Sequence, residues 1–276
     1  ELPKLPGLVG EVPGEVFGDA VAAVAVAAGK DDTLPMLTGI QVEIVGDKLT
    51  LVATDRFRLA MREVDWRPTG AGGQGAAVLV PARTVADAAK TLGNAGTTVS
   101  LSLASGEGLL GLAGAGRHTT TRLLDADFPK YRQLLPTEFD VAATVDVANL
   151  VEAIKRVSLV AERGSQVRLE FAENGLRLTA GGDDEGSAEE ELPVELTGDG
   201  VTIAFNPGYL IDGLTAVHSE KARLEFTTAN RPALIKPVNA DGDIVDGCLH
   251  LLMPVRLPAV AGVSSHRQDD IRRVNP

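Results

Sequence analysis

Apolar and polar residues alternate with a period of two in IQVEIVGDKLTLVA, starting at Ile40, and again in VRLEFAENGLRLTA, starting at Val167. That period gives each segment one apolar and one polar face, as in a half-buried strand. A polar break midway turns each into a hairpin, with the bends expected at Gly46-Asp47 and Asn174-Gly175. The two segments superpose without a gap, Val42 falling on Leu169, Leu49 on Leu176, Leu51 on Leu178 and Ala53 on Ala180. Upstream of each, the apolar spacing lengthens to that of a helix. Asp146 is a suitable N-cap for an apolar face of Leu150, Val151, Ile154, Val157 and Val160. In the earlier copy Phe17, Val21, Val24 and Ala28 form the same face after Pro13-Gly14.

The echo continues downstream. VLVPARTVADAAKTL, from Val78, answers IAFNPGYLIDGLTAV, from Ile203, each a strand running into a short helix. TVSLSL then answers ARLEFT, and TTTRLL answers LHLLMP. Three matches in the same order define one unit that occurs twice. Many short antiparallel strands with two helices per copy predict an α+β fold, two repeated domains each with two helices packed on curved antiparallel sheets. Pro136 breaks the chain near Leu135 to Phe139, which divides it into residues 8–136 and 137–258. AVAGVSSHRQDDIRRVNP has no periodicity and mixed charge, so 259–276 is expected to be a disordered tail.

Composition narrows the class. Of 276 residues 44% are hydrophobic, enough for the cores of about two domains. The longest apolar run, AVAAVAVAA, is about half the ~20 residues of a membrane span. ELPKLPGLVGEVPGE has no basic start and no apolar core, so no secretory signal is expected; without a Met it reads as a start partway into a longer chain. One cysteine, Cys248, excludes an internal disulfide and fits a reducing cytoplasm, and the thiol is expected to be inert. A net charge of −12 argues against a simple nucleic-acid binder, although a small basic interior inside an acidic exterior gives the same total. The four histidines are scattered, and neither GxSxG nor GxxxxGK[ST] occurs, so nothing nucleates an enzyme site. GGDDEGSAEEEL lacks the spacing of a calcium loop and reads as a solvated turn.

Five blocks, TLPMLTGI, VATDRFRLA, LLDADFPKYRQLLP, FNPGYLIDGL and LLMPVRLP, occur in one order along the chain. Together they resemble the bacterial sliding clamp, the beta subunit of DNA polymerase III, in its actinobacterial form. That resemblance implies a DNA clamp fold, a non-enzymatic processivity factor, and a chain carrying the second and third of the family's three domains without the first. It implies no cofactor and no metal. The implied partners are the polymerase III alpha subunit, the clamp loader, other proteins bearing a clamp-binding motif, and double-stranded DNA held topologically without sequence preference. In the full-length family two subunits close into a ring. The rival reading is a truncated, non-ring module that binds partner peptides without encircling DNA.

The family's peptide groove, carried over by motif, falls on Leu37, Thr54, Arg56, Phe57, Arg58 and Leu59; on Pro129, Gln133 and Leu134; on Asn206, Tyr209 and Pro232; and on Leu251, Leu252, Met253, Pro254, Val255, Arg256 and Leu257. A short extended peptide must win on a few apolar anchors in a preformed cleft, for which Met253 and Leu59 are adaptable lining. A charged residue at either is expected to abolish binding with little effect on unfolding. Pro254 interrupts the ladder and frees backbone for a ligand, while Arg58 and Arg256 offer planar donors. Arg56 and Phe57 stand where many clamps have Gly and His, and His250 where Tyr or Val is commoner. DNA-facing candidates are Lys30, Arg83, Lys90, Lys155, Arg156, Arg163 and Lys221, expected on helices lining the hole. The loop from Asp31 to Met36 matches a DNA-touching family loop, although its aspartates oppose that role.

Overall fold

The computed structural model describes residues 7–162, 165–182 and 186–257. In chain order the first repeat comprises β1 (Gly7–Pro13), α1 (Gly14–Ala25), β2 (Gly39–Val45), β3 (Lys48–Thr54), β4 (Arg58–Asp65), β5 (Arg67–Pro68), β6 (Ala77–Pro81), α2 (Ala82–Leu92), β7 (Thr98–Ala104), β8 (Leu109–Gly114) and β9 (Arg117–Arg122). The second comprises β10 (Val141–Asp146), α3 (Val147–Ser158), β11 (Val167–Ala172), β12 (Gly175–Gly182), β13 (Gly186–Leu192), β14 (Glu195–Thr197), β15 (Val201–Phe205), α4 (Pro207–Ala216), β16 (Lys221–Phe226), β17 (Ala233–Val238) and β18 (Cys248–Leu252). The two lists correspond element for element. Each repeat buries its own core against its helices, Phe17, Ile40, Leu49 and Leu92 in the first, Leu150, Ile154, Leu169 and Phe205 in the second.

The strands form three antiparallel sheets ordered β5-β1-β7-β8-β9, β14-β10-β16-β17-β18-β4-β3-β2-β6 and β13-β12-β11-β15. The nine-stranded one is shared: the second repeat's five strands meet the first repeat's four where β18 pairs with β4. Period-two alternation sorts the residues of this junction. Ala60 and Leu252 face the helices and join the two separate cores, whereas Leu59 and Leu251, opposite each other, face outward into a third cluster with Val52, Leu234 and Tyr131. Tyr131 comes from the segment linking the repeats, which doubles back as a 3-10 turn, Tyr131–Leu134.

Local sequence explains most boundaries. The Asp146 carboxylate accepts the Asn149 N–H at 2.9 Å, capping α3 as expected. The face Leu150, Ile154 and Val157 is buried, but the helix stops at Ser158 and Val160 is 40% exposed, so the expected apolar face was one turn too long. The first hairpin bends at Gly46-Asp47, Val45 pairing with Lys48 and Gly46 taking φ 59°. The second bends at Glu173-Asn174, since Ala172 pairs with Gly175, one residue earlier than expected. The acidic run is a strand where a turn was expected: Glu189, Glu190 and Glu191 lie on β13, with residues 183–185 outside the described set. Arg177 reaches Glu189 and Glu191 at 3.5 and 3.4 Å, so cations across the hairpin offset the charge that made it look like a loop. Among the described residues no helix is long and apolar enough to cross a membrane. The tail at 259–276 lies outside the described residues.

His250, on β18, is buried beside the helix-facing side of the junction, and neither ring nitrogen has a hydrogen-bond partner. It presses on Gly213 of α4, where an added Cβ would lie 2.7 Å from the ring, so this position excludes any side chain. Burial, reinforced by the nearby Arg58 charge, drops the imidazole pKa from 6.5 to about 3. The folded protein therefore holds His250 neutral while the unfolded chain protonates it below its ordinary pKa. The stability contributed by the neutral ring is complete above 6.5 and drains away as pH falls from 6.5 toward about 3. Denaturant titrations from pH 7.5 to 4.5 should show this acid loss, and His250→Val should flatten it.

Candidate peptide groove at the junction of the repeats

The loop between β3 and β4 is built by two side chains. Asp55 Oδ1 accepts the N–H groups of Phe57 and Arg58 at 2.9 and 3.0 Å, and the Thr54 hydroxyl donates to the Arg58 carbonyl at 2.7 Å. Arg56, at the tip, is forced to φ 80°, a region costing a residue with a Cβ about 1–2 kcal/mol. Folding the tip back leaves Phe57 58% exposed, its ring 6.2 Å from that of Tyr209 on α4.

Arg58 ties the repeats together. Its guanidinium donates Nε to Asp55 Oδ2 at 3.1 Å and NH1 to Asp212 Oδ2 at 2.7 Å, and its Cζ lies 4.2 Å from the Tyr209 ring centre. With its side chain only 10% exposed, the cation is sheltered between a carboxylate of its own repeat and one of the other. Removing it strands Asp55, whose side chain is 12% exposed. Below this group, Asn206 caps α4 by accepting the Tyr209 N–H at 3.1 Å, which aims the Tyr209 ring at the junction.

After Leu252 the chain leaves β18 and crosses between the repeats. Met253 N–H donates to the Phe57 carbonyl at 2.9 Å, and Val255 N–H donates to the Ala204 carbonyl on β15 at 2.8 Å. Pro254, unable to donate, sits between those two bonds and lets the strand change partners. Met253 and Val255 are each 38% exposed, Arg256 is exposed and Leu257 partly so. Leu134 is 56% exposed on the linker turn, whose Tyr131 packs on Leu59 and Leu251. Phe57, Arg58, Tyr209 and Met253 are thus brought together by direct contacts, and Leu134 stands above their outward-facing neighbours.

Several expected lining residues do other work. Leu59 at 1%, Leu251 and Leu37 at 5% and Leu252 at 0% exposure have no surface to offer a ligand. Leu252 belongs to the second core, and Leu59 is the floor beneath the linker. The expectation that a charge at Leu59 would spare stability therefore fails. Thr54 and Asn206 spend their side chains on the loop and the helix cap. Pro232 lies by a separate cavity of about 60 Å³ with Phe139, Glu225 and Lys236. Pro129 is partly buried, its carbonyl accepting the Tyr131 N–H at 2.8 Å, and Gln133 is exposed.

The linker's anchor went unread in the sequence. Glu43 on β2 accepts the Tyr131 hydroxyl at 3.2 Å and both Arg132 amino groups at 3.2 and 2.7 Å. Burial beside the Glu43 carboxylate pushes the Tyr131 hydroxyl up to about 12. A glutamate inside the apolar run of β2 was the available signal.

The basic candidates divide. Lys30 is exposed but lies beyond the end of α1 at Ala25, off the helices where it was expected, whereas Arg83 is exposed in the first turn of α2. Lys90 lies 3.7 Å from Asp87 and Lys155 3.2 Å from Glu152. Arg156 is committed to Glu190 by two bonds of 2.5 and 2.8 Å, which contradicts a free DNA-facing role. Lys221 opens strand β16, off the helices where it was expected, and Arg163 lies outside the described residues. Asp31 caps its own loop by accepting Thr33 N–H and hydroxyl. Cys248 is partly buried, and burial raises its thiol pKa, as an inert thiol requires.

A unit repeated twice, with one sheet continuous across the repeats and exposed Phe57, Met253 and Val255 at their junction, offers a binding surface. Residues 11–130 match the family model for the DNA polymerase III beta subunit, central domain, and residues 132–256 that for its C-terminal domain. The beta sliding clamp of Streptomyces coelicolor is 51% identical over 262 residues, covering 93% of this chain and 69% of that protein. That of Micrococcus luteus is 47% identical, covering 71% of this chain and 62% of its own. A crystal structure of the Pseudomonas aeruginosa sliding clamp bound to griselimycin is 26% identical with a TM-score of 0.84, over 93% of this chain and 68% of that one. The chain belongs to the DNA polymerase III beta subunit family, the bacterial sliding clamps, which are non-enzymatic processivity factors.

Two stability measurements check the site. Arg56→Gly relieves the left-handed backbone and should raise stability by up to about 1 kcal/mol in chemical denaturation. Leu59→Ala should cost about 2–5 kcal/mol and Met253→Ala well under that, because only the first opens a cavity.

Proposed function

We propose that this chain acts in DNA replication as a sliding clamp whose cleft between the repeats, bounded as 8–136 and 137–258, captures an extended peptide segment of its partners. The observation that carries the reading is the crossing of the terminal segment: Met253 and Val255 are half-exposed, Phe57 stands beside them, and Arg58 with Tyr209 forms a rigid polar wall. Exposed apolar groups beside the β18–β4 pairing that joins the two repeats are costly unless something covers them.

Arg58 has its donors largely spent on Asp55 and Asp212, so it shapes the wall more than it binds. Arg256, exposed at the rim, is the better donor for a peptide carbonyl or carboxylate. An apolar anchor against Met253 and Leu134, with a second aromatic or aliphatic side chain against Phe57 and Tyr209, gives an affinity near micromolar, about −8 kcal/mol. Such strength suits partners that exchange. The polymerase III alpha subunit, the clamp loader and other proteins with a clamp-binding motif are the partners in this reading, and the compartment is the cytoplasm. Duplex DNA is held through Lys30, Arg83 and the other free basic side chains by phosphate contacts, which salt weakens steeply.

Titrating a fluorescent clamp-binding-motif peptide should give a micromolar dissociation constant. Met253→Glu should weaken it at least tenfold while leaving the unfolding midpoint nearly unchanged. No binding at about a hundred micromolar peptide would refute the groove.

A further inference from the structure

The proposed groove lies at one end of the β18–β4 pairing, where Leu252 faces Arg58; at the other end, where Cys248 faces Arg62, there is a second cavity. It has a volume of about 550 Å³, and Arg62, Val217, His218, Lys221, Val245 and Cys248 are among its walls. Arg62 comes from the first repeat, on β4, and the other five from the second, on the turn after α4, the loop between β17 and β18, and the strands beside them. A cavity of that size falls in the range of small-molecule sites.

Arg62 is the wall that calls for a ligand. Other arginines of this molecule meet carboxylates: Arg58 meets Asp55 and Asp212, Arg132 meets Glu43, and Arg223 meets Glu225. Arg62 is half-buried, and an amino group of its guanidinium donates to the Ala216 carbonyl at 2.9 Å, but Nε is buried with no hydrogen-bond partner among the described residues. A planar cation with a buried donor to spare is costly until an acceptor reaches it.

The surroundings suit an anion that carries an apolar group. Among the described lining residues Glu220 is the single carboxylate, set against Arg62, Lys221 and His218, a local excess of cations on a chain of net charge −12. His218 is held at φ 49°, in the strained left-handed region, by the turn that forms one wall. Val217 and Val245 add apolar surface, and Val245 is 42% exposed. Burial pushes the Cys248 thiol up and the Arg62 charge pulls it back, which sets the guanidinium beside the sulfur.

We propose that this cavity binds a small organic anion, a carboxylate or a phosphate monoester with an apolar group, the anion resting on Arg62 and the apolar group on Val217 and Val245. Such a ligand touches both repeats, so it braces their junction from the end opposite the peptide groove.

Cys248 is the one cysteine in the 276 residues, so its alkylation reports on the cavity directly. Rates with anionic iodoacetate and neutral iodoacetamide are compared at pH about 8.5, and the same chain unfolded in urea gives the intrinsic ratio of the two. Folding should shift that ratio toward iodoacetate about tenfold. Phenyl phosphate and benzoate, each at about 1 mM, should protect Cys248 from iodoacetamide and raise the thermal midpoint, while chloride at equal ionic strength does neither. The better protector of the two tells phosphate from carboxylate. Arg62→Gln should abolish protection. Since it also disturbs the bond to Ala216, Val245→Glu is the second variant: an exposed loop change that adds a carboxylate to the lining, it should weaken protection about tenfold. A rate ratio equal to that of the unfolded chain, protection that chloride reproduces, or protection that survives Val245→Glu in full would each overturn the proposal. Protection by a duplex oligonucleotide with none from either small anion would do the same.

Discussion

The pairing of β18 with β4 is the constraint on which the rest of this molecule depends. Each repeat could fold around its own helices and core, and would then present two ordinary sheets. Five cross-strand positions, from Cys248 opposite Arg62 to Leu252 opposite Arg58, fuse those sheets and fix the second repeat relative to the first. Because side chains alternate along a strand, the same five positions decide what lies on either side of the junction. Toward the helices they place Arg58 and His250, and away from them Leu59 and Leu251. A slip of one residue would put the arginine under the linker and the leucines against Tyr209.

The open segment at the proposed groove follows from the way this pairing ends. At Leu252 the ladder has used up the Thr54 to Arg58 loop, and the next donor, Met253, finds only the Phe57 carbonyl. Pro254 then prevents continuation, and Val255 takes a partner in the other repeat. Two hydrogen bonds pointing to different repeats on either side of one proline keep the segment open, with Met253 and Val255 half in solvent. Rigidity comes from Arg58, whose two carboxylate partners belong to different repeats.

The charge distribution resolves the tension between an acidic chain and a DNA-handling family. Part of the acidity is paired at close range: Glu43 with Arg132, Glu190 with Arg156, Glu225 with Arg223 and Lys236. Glu43 and Glu225 are buried, so their partners compensate charges whose burial would otherwise be costly, whereas the Glu190 pair lies nearer the surface and contributes little to stability. These pairs orient strands and helices, and they take several arginines out of the pool available to phosphates.

Much of the fold was written in periodicity. Alternation in IQVEIVGDKLTLVA and its echo in VRLEFAENGLRLTA, the cap at Asp146 and the bend at Gly46-Asp47 are short-range facts, set by neighbours within a few residues, and the order of the blocks carried the family. Sequence had no means to show that Leu59 and Leu252 are buried, because apolar residues on a strand look the same whether the far side is floor or rim. The acidic β13 read as a loop because its neutralising partners, Arg156 and Arg177, lie on other elements. The same holds for Glu43 under Tyr131. Local spacing determined which residues form strands, helices and turns; tertiary structure alone decided which faces meet, because burial and charge compensation depend on partners far away in the chain.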